Sequence, residues 1–251
     1  MMKASTRQRS KTYRLDKIGL RELAAGYFRH PAIITYLVLL PPSLFAAFTV
    51  GAAAWPERLV SLGLAALLTV LLYPLAWYLL HRYVLHGAFL YRSRFTAAVW
   101  KRIHFDHHQD PNGLEVLFGA PLSTLPTIGV LLLPLGYAVG GPIGVAGAFT
   151  TSLLVTLFYE YCHCIQHLAY TPKSRFLKRI KRLHLLHHFH NENGNHGITN
   201  YFWDRVFGTY YDDAHAMERS ASVRDLGYNG EQRVRYPWVA RLTEEAAGKT
   251  G

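Results

Sequence analysis

The stretch VLFGAPLSTLPTIGVLLLPLGYAVGGPIGVAGAFTTSLLVTLFY, residues 116–159, carries no charged side chain. A helix that crosses a bilayer uses about 20 predominantly apolar residues, so this run is more than twice as long as one crossing needs. GGP at 140–142 interrupts it. Glycine admits backbone angles that other residues avoid, and proline has no N–H to continue a helical ladder. The run is therefore expected to fold as a hairpin of two spans, 123–139 and 143–161, the first carrying Pro126 and Pro134.

Two more charge-free runs lie upstream, between Ala32 and Pro56 and between Leu59 and Leu80. Each suits one crossing, and Pro41-Pro42 is expected to kink the first. The expected fold is an all-α integral membrane protein with four transmembrane helices. Composition agrees: 50% of the residues are hydrophobic and 17% charged, against about 25% charged in soluble domains. Lysine and arginine collect in residues 1–30, in the 81–115 loop and beyond 162, whereas the two opposite loops hold Arg58 as their one basic residue. Basic segments stay on the cytosolic side, so both termini and the central loop are expected there.

The chain divides into a basic cytosolic head (1–30), a membrane unit (31–212) and a cytosolic tail (213–251). The head has no short apolar core with a small-residue cleavage site, so no removable signal peptide is expected. YRLDKIGLRELAAGYF, 13–28, reads as a basic amphipathic helix on the membrane surface, with a partly ordered tail as the alternative. The net charge of +11 belongs to segments flanking apolar spans. It does not form the soluble basic face with aromatics that nucleic-acid binding uses. Cys162 and Cys164 are too close in sequence for an ordinary structural disulfide and read as reduced, buried packing residues.

Most of the 14 histidines fall in four groups. HRYVLH holds His81 and His86; HFDHH holds His104, His107 and His108; HCIQH holds His163 and His167; HLLHH holds His184, His187 and His188. Five helical residues turn through about 500°, which leaves His81 and His86 about 140° apart. The helix is expected to end or distort there. Positions i, i+3 and i+4 share a face, so each triplet is expected to aim three rings at a common centre. The ten histidines read as two similar halves of five, each pairing a doublet with a triplet. A single pair at i, i+4 is often accidental, but four groups on one side of the membrane form a constellation. Neutral imidazole is the commonest metal ligand, and ten ligands are too many for one ion and fit two. His30 and His215 are expected at the interface or in solvent. His190 and His196 flank the last triplet and read as surface residues, or as donors that orient the ligands.

HRYVLH, HFDHHQDPNGLEVLFGAP, YEYCHCIQH and RLHLLHHFHNENGNHGITNYFWDRVFGTYY together resemble the fatty acid hydroxylase superfamily of integral-membrane di-metal oxygenases. Within it the GIT…WDRVFGT ending is most similar to the fatty acid 2-hydroxylases. The resemblance covers residues 27–212. It implies four spans under a cytosolic helical cap, with all ten grouped histidines as metal ligands. Tyr159 and Glu160 fall at the family's Tyr–acid pair, beside the ligands. It also implies two iron ions, with zinc able to replace them during purification, and a 2-hydroxy acyl product made from O2 and two external electrons. A lipid substrate in the membrane follows, as does placement in a bacterial inner membrane or the endoplasmic reticulum. The sequence departs from the family pattern at His190 and His196. The head is far too short for the b-type cytochrome domain that some relatives carry, and no GxGxxG motif appears. Electrons are therefore expected from a separate b-type cytochrome, or a ferredoxin with its reductase.

Histidine-rich sites suit redox-active iron, whereas oxygen-rich sites suit magnesium or manganese. A sterol, hopanoid or carotenoid hydroxylase or desaturase is the alternative, since those enzymes share histidine boxes. A non-redox zinc protein fits less well. Transporters place ionisable residues inside their spans, and catalytic zinc keeps three protein ligands and an open position. NYFWDRVFGTYY, after the last triplet, reads either as a lid over the site or as plain packing of the cap.

Overall fold

The computed structural model describes residues 14–248. In chain order the helices are α1 (Leu20–Tyr27), α2 (Pro31–Thr49), α3 (Trp55–Leu79), α4 (Phe89–Arg92), α5 (Ala97–Trp100), α6 (Asp106–Gln109), α7 (Leu114–Leu117), α8 (Pro121–Leu131), α9 (Leu133–His167), α10 (Arg175–Phe189), α11 (Phe202–Val206), α12 (Gly230–Arg235) and α13 (Trp238–Gly248). No strand occurs among the described residues. Four segments are long and apolar enough to cross a membrane.

Proline and glycine set the limits of the long helices. Pro31 opens α2 and Pro56 lies in the first turn of α3, where a missing N–H costs nothing. Pro41 and Pro42 are accommodated within α2, which runs on to Thr49. The third span is interrupted: α8 stops at Leu131 and α9 begins at Leu133, with Leu132 between them still in the right-handed helical region. Leu132 lies two residues before Pro134, which lacks the N–H that would continue the ladder. The hairpin forms where GGP predicts it, since Gly140 and Gly141 depart from helical angles and Gly141 has a φ of +53°. A Cβ on Gly136 would lie 2.7 Å from Ala148 Cβ and also against the Gly144 carbonyl. Twelve residues along a straight helix span about 18 Å, so the chain has reversed and its two arms touch backbone to backbone. Only glycines at 136 and 144 permit that approach.

Lipid-facing positions such as Phe45, Val130 and Leu122 are apolar and exposed, whereas Thr69, Thr150, Ser152 and Thr156 are buried between helices. Tyr73 Oη and Thr156 Oγ1 meet at 2.9 Å. This is the inside-out polarity of helices packed in lipid, where hydroxyls bond across the interface. Arg58 is also buried: it donates to the carbonyls of Ala47, Val50 and Gly51 at 2.8–3.1 Å. It satisfies the open carbonyl end of α2, where a cation also suits the helix dipole.

Both ends of the described residues are built into the cap. The expected surface helix over 13–28 reduces to α1, and position 13 lies outside the described residues. Leu15 is fully buried. Its N–H bonds the Asn112 carbonyl and its own carbonyl accepts from Ala169 N, both at 2.8 Å. Arg14 pairs with Asp110 at 2.6 Å. Burying leucine between two loops wins over laying it on a membrane surface. The tail likewise returns over the cap: Tyr228 and Val239 pack with Tyr91 and Trp100.

Candidate metal centre

The four histidine groups converge on one end of the bundle. Their local geometry explains the spacings. Leu80–Leu85 is a π-helix, and His86 N donates to His81 O at 3.0 Å. An i to i+5 bond adds one residue to the turn and brings positions five apart onto one face. HX4H is thus a π-helical ligand pair, the distortion that the 140° mismatch requires. A second π-turn, Lys101–Phe105, carries His104, the first histidine of the first triplet.

The triplets do not each aim at one centre. His107, His163, His167, His184 and His188 form one nest, with a ring nitrogen from each lying within 4.8 Å of all the others. His81, His86, His104 and His108 form the second. His187 joins this second nest, its ring 4.9 Å from those of His81 and His86 and 5.1 Å from His108. The middle histidine of each triplet has therefore crossed over, and the halves expected from sequence are interleaved. The reason is angular: i and i+4 differ by about 40° on a helix, whereas i+3 and i+4 lie about 100° apart. His104 and His108 face one way and His107 the other; His184, His188 and His187 repeat the pattern. His108, His187 and His188 approach one another where the nests meet.

Proton counting shows what the nests are for. His81 Nδ1 donates to the His196 carbonyl at 2.6 Å, His108 Nδ1 to Val223 at 3.1 Å and His187 Nδ1 to Gly194 at 2.8 Å. Each bond fixes the tautomer and leaves Nε2 as a lone pair. The Nε2 atoms of His108 and His187 are buried without a partner, as are both ring nitrogens of His188. His86 Nε2 lies 3.1 Å from His81 Nε2 and 2.9 Å from His104 Nε2. In the other nest, His107 meets His163 at 3.1 Å and His167 meets His184 at 2.9 Å, again Nε2 to Nε2. One N–H cannot serve all these contacts. Protonation does not rescue them: burial first, and then the neighbouring rings, push His86 and His104 well below the usual imidazole range. Burial takes His108 and His187 down to about 3. A crowd of neutral, buried, lone-pair-bearing imidazoles fits a pair of metal ions.

Of the remaining residues, some fall where expected and others do not. Tyr159 and Glu160 hydrogen-bond no histidine ring. They line a cavity of about 290 Å³ whose wall also includes His81, His104, His107, His163, His184 and His188. Glu160 Oε1 accepts from Gly119 N at 3.1 Å and its Oε2 has no partner. Backbone carbonyls fix the rings of His81, His108 and His187. His190 is half-buried and faces the tail, with Nε2 2.7 Å from the Met217 carbonyl. His196 is not on the surface: it is 3% exposed, with its ring 5.1 Å from His86. His215 is exposed, and His30 is partly covered by Phe118, 4.2 Å between ring centres.

Asp204, of the WDRVFGT ending, was legible only as an undecided motif. It is fully buried and takes hydrogen bonds from His196 N at 2.7 Å, Gly197 N at 2.9 Å and Thr209 Oγ1 at 2.8 Å. The segment is thus a clamp beneath the His196 carbonyl, and through it beneath His81.

Four candidate spans capped by two histidine nests that could hold metal ions define a membrane metal-binding fold. Residues 66–209 match the fatty acid hydroxylase family model, and the chain belongs to that family. It is 32% identical over 151 residues to the ceramide very long chain fatty acid hydroxylase SCS7 of Saccharomyces cerevisiae, covering 56% of this chain and 36% of that protein. With the dihydroceramide fatty acyl 2-hydroxylase FAH2 of Arabidopsis thaliana it shares 31% identity over 152 residues, 59% of this chain and 61% of the relative. The human fatty acid 2-hydroxylase is 30% identical over 173 residues, 66% of this chain and 44% of that one. The chain thus spans between about a third and three fifths of these curated relatives. The solved structure of full-length Scs7p, in which only the hydroxylase domain is visible, superposes with a TM-score of 0.62 at 25% identity. The match covers 75% of this chain and 68% of that one.

Proposed function

We propose that this chain hydroxylates a membrane lipid, placing one oxygen atom of O2 at carbon 2 of a fatty acid or of a ceramide or other sphingolipid acyl group. The second oxygen leaves as water with two electrons and two protons from outside the chain. One observation carries the reading: both nests share a wall with an apolar cavity that reaches the bundle at Trp77, Leu80 and Val84. An acyl chain entering from the bilayer meets the histidines at that wall. Similarity to a dihydroceramide fatty acyl 2-hydroxylase and a fatty acid 2-hydroxylase supports carbon 2.

His107, His163, His167, His184 and His188 would hold one iron and His81, His86, His104, His108 and His187 another. Such a pair would supply O2 activation and C–H oxidation, chemistry that no side chain offers. Zinc is able to occupy the same imidazoles during purification. The carbonyls of His196, Val223 and Gly194 keep three rings in the ligating tautomer. Leu80, Val84, Leu85, Ile103 and Leu117 wall the acyl chain and exclude water. Ser123, Thr124, Thr127 and Glu160 offer hydrogen-bonding groups to the polar end of the lipid. The basic segments flanking the spans put this end of the bundle in the cytosol, in a bacterial inner membrane or the endoplasmic reticulum. There a separate b-type cytochrome or ferredoxin delivers electrons.

The test is mass spectrometry of hydrolysed lipids from cells expressing the protein under isotopically labelled O2. Labelled 2-hydroxy acids are expected. Label confined to a sterol, hopanoid or carotenoid fraction overturns the substrate; no labelled lipid overturns the oxygenase.

A further inference from the structure

The structure places an eleventh histidine at the metal pair, and we propose that His196 is a further ligand of the ion held by His81, His86, His104, His108 and His187. The proposal rests on the two-metal reading above. Three observations carry it. A ring nitrogen of His196 lies within 4.8 Å of ligand atoms of both His86 and His187, and its ring is 5.4 Å from His81 and 5.5 Å from His187. The side chain is 3% exposed and its Nδ1 is buried without a hydrogen-bond partner, a cost that ligation would remove. The backbone beneath it is fixed on both sides: His196 N and Gly197 N donate to the buried Asp204 carboxylate, while the His196 carbonyl accepts from His81 Nδ1. Gly197 has no room for a Cβ, which would strike the Asn200 carbonyl. A ring on so constrained a backbone is held where it stands.

Position gives the ligand a consequence. His81 and His104 line the cavity, whereas His86, His108, His187 and His196 do not. His196 therefore closes its nest on the side away from the substrate, bringing that nest to six imidazoles against five in the other. The two nests are thus unequal, and four of the five histidines in the other one, His107, His163, His184 and His188, line the cavity. A histidine that merely lent its carbonyl to His81 would lack this effect, because any residue at 196 supplies a carbonyl.

The experiment uses full-length protein in detergent, loaded anaerobically with cobalt(II). The visible absorption of cobalt(II) strengthens as coordination falls from six to five, and chelator release is followed at the same time. His196→Gln and His196→Phe are compared with wild type, with His215→Ala as the exposed control. Wild type is expected to bind two cobalt ions with unequal release. Both His196 variants are expected to intensify the absorption of one ion and to speed its release about 10-fold or more, leaving the other ion unchanged. Spectra and release identical to wild type in either folded variant overturn the proposal. If neither variant folds, equal release of both ions and one shared cobalt spectrum in the wild type overturn it. A wild type that binds no cobalt overturns the two-metal reading itself, and this proposal with it.

Discussion

Asp204→Asn is the most informative single change, because the carboxylate touches no metal ligand ring and yet fixes one. Its Oδ1 accepts from His196 N and Thr209 Oγ1, and its Oδ2 from Gly197 N. Asparagine has one oxygen. With that oxygen in the Oδ1 position two bonds survive, and the new NH2 group faces the Gly197 N–H. One bond to a charged acceptor is lost, about 1.5–3 kcal/mol, and a buried donor is left unpaired, about 1–3 kcal/mol. The sum is about 2.5–6 kcal/mol, which for a chain of this size corresponds to a melting temperature lower by on the order of 10 °C. The loop also loosens the His196 carbonyl that holds His81 Nδ1 at 2.6 Å. Loss of such an orienting partner weakens metal binding about 10–100-fold. Thr209→Val removes one donor and leaves the other two, so it is expected to show a smaller drop in both. Thermal melting and metal retention of the purified variants are the measurements. An Asp204→Asn protein that melts with wild type and keeps both metals refutes the clamp.

Because the middle histidines cross over, His107→Ala is expected to remove the same ion as His163→Ala, and the double variant to retain the other. Loss of both metals from that double variant, measured by metal analysis, would restore the uncrossed halves. Gly144→Ala puts a Cβ against the Gly136 carbonyl and is expected to destabilise the bundle by about 1–3 kcal/mol; an unchanged melting temperature would mean the hairpin arms separate freely. Thr127→Phe fills part of the cavity of about 290 Å³. It is expected to cut 2-hydroxy acid formation more than about 10-fold with metal content intact, and full activity would move the acyl site elsewhere.

The absence of charge over 116–159 and the GGP within it determined two spans and their turn, because a bilayer punishes polarity and a hairpin needs residues free of helical constraint. The five-residue spacing of His81 and His86 determined that the helix must distort, since no α-helix aligns such a pair. These are local facts, set by what lies within a turn or by the solvent around a span. The sharing of ten histidines between two centres is different. Each triplet offers two directions about 100° apart, and which one meets which partner depends on the rotation of each helix about its axis. Packing of α9, α10 and the π-turns sets that rotation. His196, Leu15 and Asp204 belong to the same class. For Leu15 and His196 the partners are distant in the chain: Asn112 and Ala169 over Leu15, and His81 against the His196 carbonyl, which the Asp204 turn holds from below. Val223 lies 115 residues from His108 and still supplies the carbonyl that fixes its tautomer. Sequence named the candidate ligand types because imidazole chemistry travels with the residue. Tertiary structure sorted them into two nests, because contact joins atoms in space and leaves no periodic trace along the chain.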